Sequence, residues 1–195
     1  RQRQMCIRDS NNLMIMGVLS RAISVRQMLR NWGVVYLGNF VGAVLVAALC
    51  VLGHVFSAFD GRLAQSVVTI AQAKASLSFG DAFFRGILCN FLVCTAVWMA
   101  SAARSVPGKI LAVFFPILAF VVAGFEHSIA NMYYLAAGLF TAAQTGAAAG
   151  GLTWGRALLG NLLPVTLGNL VGGVLLAGMS AWYLYLKQGK ANVNS

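Results

Sequence analysis

The sequence predicts an all-α membrane protein, a helical bundle built from an inverted repeat with broken half-helices. Three observations carry this. Of 195 residues, 59% are hydrophobic and only 9% are charged, against about 25% charged in a soluble domain. The apolar stretch Ile110 to Phe140 is interrupted at Gly124 by Glu126, His127, Ser128 and Asn131. Residues 31–47 reappear in altered form at 161–177.

The charge deficit excludes a soluble surface. The net charge of +10 comes from 14 basic residues spread over loops and ends. With no basic stripe and no stacking platform, nucleic acid is not an expected partner. The four cysteines show neither metal spacing nor a disulfide framework, and no cofactor is expected. No paired carboxylates, phosphate loop or nucleophile set emerges, so no enzyme is expected.

Taken in order, RQRQMCIRDS has four charges and no apolar signal core, and 1–10 reads as a non-native start. Asn11 to Leu19 is a nine-residue half-span, and Ser20 to Arg30 reads as an amphipathic connector. Trp32 to Phe56 is the first full span, with Gly38 and Gly42 spaced for close helix contact. His54 near its outer end reads as interfacial. Phe59 to Gly80 reads as a mixed loop. Ala82 to Ala100 is the second span, carrying Asn90 at its centre and Trp98 near its end.

The 31 residues from Ile110 to Phe140 are too long for one straight crossing of about 20 residues and too short for two with a loop. A helix broken at membrane depth fits. Non-helical backbone survives there only where it lines a cavity or is buried in protein. Thr141 to Gly155 reads as a flexible outer loop, and Leu158 to Leu186 as the last span, with a kink at Pro164.

Basic residues concentrate in the connector, in the loop 101–109 and in the tail from 187. By the positive-inside rule these mark the cytoplasmic side, with a cytoplasmic C-terminus and a tail at 191–195. Asn31 to Ala47 and Asn161 to Ala177 match at ten of 17 positions without gaps, including Leu-Gly-Asn. Counting crossings, the two copies run in opposite directions. An inverted repeat places its site near the midplane, at discontinuous helices.

His127, at the break, is the site candidate with a reference pKa near neutrality, about 6.5. A buried imidazole disfavours its charged form, and a passing weak-acid anion favours it. The plainer role is tying helices together. Glu126 beside it reads as a cap for freed backbone amides, with a second role in biasing the histidine. Asn90 reads equally as interhelical glue or as a hydrogen-bond partner for a permeant. Lys74 reads as a solvated loop lysine or as an electrostatic funnel for anions.

NWGVVYLGNFVGA, GILCNFLVCTAVWM, PILAFVVAGFEHSIANM and NLLPVTLGNLVGG, in this order, resemble the formate/nitrite transporter family. The resemblance covers about Asn11 to Lys187 and implies a homopentamer of six-span, aquaporin-like subunits in the cell's inner membrane. Each subunit would pass small monovalent anions such as formate, nitrite, hydrosulfide or lactate. By motif it implies that His127 is the pore histidine and Asn90 the asparagine of the family's fourth helix. By spacing it implies that Lys74 is the vestibule lysine, and that Phe120 with Val93 forms a constriction. The family's first helix and part of its second have no counterpart here, so the expected domain is a partial one over 11–190. An aquaporin-like channel for water or neutral solutes is the alternative, but no Asn-Pro-Ala tripeptide occurs.

Overall fold

The computed structural model describes residues 23–180, together with Val18 and Tyr183. The expected non-native start, the half-span 11–19 apart from Val18, and the tail at 191–195 lie outside the described residues.

Helix α1, Val25–Leu52, starts earlier than the apolar pattern indicates because Ser24 caps it. The Ser24 hydroxyl accepts from Gln27 N at 3.2 Å, and the Gln27 side chain accepts from Ser24 N at 3.0 Å. This reciprocal box draws residues assigned to the connector into the helix. At 28 residues α1 runs about 42 Å, longer than a hydrocarbon core. Val34, Leu37, Val41, Leu45 and Leu49 face outward along it, as suits a lipid or partner-helix environment.

The segment read as a loop between the first two spans is largely helical. After a 3₁₀ turn at Val55–Ser57, helix α2 occupies Arg62–Ala75. Ala64, Val68, Ala71 and Ala75 recur at helical spacing and are buried, while Arg62, Gln65 and Thr69 are exposed. Their small side chains let α2 lie close on the helix at Ser128–Thr145, where Ala71 Cβ stands against Gly138.

Helix α3, Phe79–Ala102, is capped by Ser78, whose hydroxyl accepts from Asp81 N at 3.1 Å. Helix α4, Val106–Val122, is capped by Ser105 and has Pro107 in its first turn, where an N–H has no helical partner anyway. Helix α5, Ser128–Thr145, extends into the expected outer loop and stops at Gly146, whose φ of 66° is left-handed. Helix α6 covers Arg156–Met179. Pro164 is fully buried and follows wide π turns at Arg156–Leu162, which accommodate its missing N–H.

Among the described residues, α1, α3 and α6 are long and apolar enough to cross a membrane, and α4 is shorter. Helix α1 packs on α5, and α3 packs on both α4 and α6. The close contact read for Gly38 and Gly42 falls instead on the second copy. Nothing described lies near a Cβ at those two positions, whereas Gly168 and Gly172 stand against the α3 backbone at Phe83 and Ile87.

Candidate functional site

The break between α4 and α5 is built from the Gly124 signal. Phe125 N donates to Phe120 O at 2.9 Å and Gly124 N to Val121 O at 3.2 Å. These two bonds form a Schellman end, with Gly124 left-handed at φ 66°. His127 is extended and caps α5: its Nδ1 accepts from Ala130 N at 3.3 Å. An Nδ1 that accepts puts the proton of the neutral ring on Nε2, which remains available as a donor.

Asn169 clamps this exposed backbone. Its Oδ1 accepts from Ser128 N at 2.9 Å, and its Nδ2 donates to Glu126 O at 3.0 Å and to Gly86 O at 2.8 Å. Asn90 Nδ2 donates in turn to the Asn169 carbonyl. One asparagine therefore ties the break to α3 and α6 and satisfies three buried backbone groups.

A second network holds the Glu126 side chain, which is 4% exposed. Its carboxylate pairs with Lys74 Nζ at 2.9 Å and accepts from Asn131 Nδ2. Asn131 also donates to Asn161 Oδ1 at 2.8 Å, and Asn161 Nδ2 donates to Lys74 O at 2.9 Å, closing a ring of contacts. Lys74 additionally sits 5.5 Å from the Tyr134 ring centroid. It is thus neither a loop lysine nor a solvated one: it occupies the last turn of α2 and is neutralised by Glu126.

Two cavities meet at His127. One, of about 120 Å³, is bounded by Asn90, Ser128, Tyr36, Asn39 and Thr166 as well as His127. The other, of about 440 Å³, is bounded by Val93, Val97, Val113, Ile117 and Phe120 as well as His127. The Phe120 ring stacks on the imidazole at 6.1 Å between centroids and 21° between planes. His127, Asn90, Phe120 and Val93 each line one or both of these cavities, while Lys74 and Glu126 form an ion pair and line neither. Sequence reasoning gave no site role to Asn131, Asn161 or Asn169. The signal was present for the last two, since both are registered positions of the repeat.

A profile described as formate/nitrite transporter matches residues 7–183. The chain belongs to the formate/nitrite transporter family. A Bacillus subtilis protein named uncharacterized transporter YrhG is 38% identical over 177 residues, covering 90% of this chain and 62% of its own length. The formate channel FocA of Escherichia coli is 36% identical over 190 residues, covering 92% of this chain and 67% of its own length. A solved pentameric formate channel with formate bound superposes with a TM-score of 0.76 at 38% identity, covering 84% of this chain and 69% of that one. The chain thus spans about two thirds of the length of its formate/nitrite transporter relatives. With these relatives and its apolar helices, it is a multi-pass membrane protein with the inverted-repeat fold of that family.

Proposed function

We propose that this protein passes small monovalent weak-acid anions, formate or nitrite, across the cell's inner membrane, each with a proton exchanged through His127. The observation that carries the proposal is the shared wall: His127 borders both cavities. The larger cavity offers a permeant little but Val93, Ile117, Phe120 and similar apolar groups. Removing an anion from water into such a space costs several kcal/mol. A proton handed over at His127 cancels the charge for that step, and the neutral acid crosses where its anion cannot. A second proton on the ring takes the Nδ1 position, so loading it releases the cap on Ala130. Proton transfer is thereby tied to the first turn of α5.

A homopentamer with one pathway per subunit fits the outward apolar face of α1, and the solved relative is named as pentameric. The distribution of basic residues supports a cytoplasmic C-terminus by the positive-inside rule. Lys74, being paired, acts on the path through Glu126 and the break.

The test is His127→Asn in the full-length protein, which keeps a polar side chain and deletes the titratable group. At matched membrane abundance, proton-linked uptake of labelled formate at acidic pH is expected to fall roughly 100-fold, as loss of a few kcal/mol of charge compensation implies. Unchanged rate and unchanged pH dependence would leave His127 a helix tie and end the proton proposal.

A further inference from the structure

The smaller cavity straddles the repeat. Aligned position by position, Tyr36 of the first copy corresponds to Thr166 of the second, and Asn39 corresponds to Asn169. All four border the cavity. The Tyr36 hydroxyl and Thr166 Oγ1 lie 2.9 Å apart and share a hydrogen bond. Two residues at equivalent positions of the repeat thus meet at the wall of the cavity that His127 also borders.

The pair has a definite donor count. Each hydroxyl carries one proton, and their mutual bond uses one of the two. Among the described residues neither hydroxyl has another partner, so one O–H is left for the cavity. Asn39, half-buried on the same wall, brings an amide. A neutral O–H donor suits an oxyanion in transit: it binds an oxygen of a carboxylate or nitrite without holding it as a lysine would. A conducting site must let its ion leave.

We propose that Tyr36 and Thr166 together form a neutral oxyanion subsite, a specificity-determining station in the cavity at His127 that Phe120 does not border. The proposal rests on the reading of the two cavities as the permeation path. The plain alternative is that the bond only joins α1 to α6. The two roles respond differently to substitution. A helix tie is lost with the first hydroxyl removed. The donor is lost only with the second, because a lone hydroxyl still has its proton free.

The test uses the full-length protein reconstituted in liposomes, as wild type, Tyr36→Phe, Thr166→Val and the double variant. Thr166→Ala replaces Thr166→Val if the valine blocks folding. Labelled formate uptake is measured against concentration, with chloride as competitor. Either single variant is expected to raise half-saturation less than about threefold, and the double variant roughly tenfold or more, the range for a lost hydrogen bond to a charged group. The double variant should also lose preference for formate over chloride while retaining its maximal rate. Single variants already equal to the double, or a double variant with unchanged half-saturation and preference, would overturn the subsite. Absence of saturable formate uptake by the wild type would overturn the pathway reading itself, and the subsite with it.

Discussion

Glu126→Gln is expected to destabilise the folded protein by about 3–5 kcal/mol, the cost of breaking a buried ion pair by removing one partner. Lys74 Nζ and the Glu126 carboxylate are 2.9 Å apart, with side-chain exposures of 17% and 5%. The substitution leaves the ammonium with no opposing charge beside an apolar helix contact. It also puts an amide where Asn131 now donates to a carboxylate oxygen, so one of the two meets a like group. The double substitution Lys74→Met with Glu126→Gln removes both charges and should recover most of the loss. Thermal survival of detergent-solubilised protein, measured for the two single variants and the double, checks this. A single-variant loss under about 1 kcal/mol would place the pair among ordinary surface bridges. Anion uptake by a well-folded double variant would further show that the lysine charge is not needed to draw permeant in.

Gly168→Ala is also expected to destabilise the folded protein, though it adds one methyl group. Its Cβ would overlap the Phe83 carbonyl oxygen and sit 3.1 Å from Ile87 N. Both are α3 backbone atoms, which no rotamer change can move aside. Separating α3 from α6 also draws Asn169 away from Gly86 and Glu126, so the clamp on the break loosens with the packing. Overpacking of this kind costs about 1–3 kcal/mol or more, and it outweighs the roughly 1 kcal/mol that alanine gains over glycine in a helix. Gly160→Ala is the control, since its Cβ would come no closer than 3.8 Å to Ala75 O. Folded yield of the first variant near zero with the second near wild type is the expected pattern. Equal yields would show that the helix contact can open without consequence.

These two positions also show what the sequence discloses. The break was legible because its signals are local: an apolar run too long for one crossing, a glycine, and polar residues immediately after it. The repeat was legible because it is a pattern in register. Helix α2 was not, because its buried face is mostly alanine, which contributes little to a hydrophobic period and lies among polar residues that resemble a loop. Lys74 was found by spacing, but its partner is 52 positions away, and no local pattern pairs a lysine with a distant carboxylate. Asn161 and Asn169 served as evidence for the repeat. Their work as clamps depends on which backbone groups a helix break exposes across the bundle, and only the packed structure brings those groups to them.

Tyr36 and Thr166 occupy equivalent positions of the repeat but reach each other with side chains of unequal length. In an assembly of two identical chains, a contact on the symmetry axis is made by the same residue twice. Two tyrosines meeting there would bring two rings and two hydroxyls head to head, and two threonines would fall short of each other. Carrying both copies on one polypeptide lifts that restriction. Each copy takes its own side chain, a long arm on α1 and a short one on α6, and the two hydroxyls still meet. Covalent fusion thus gives the wall of this cavity an asymmetry that self-association of a single half could not supply.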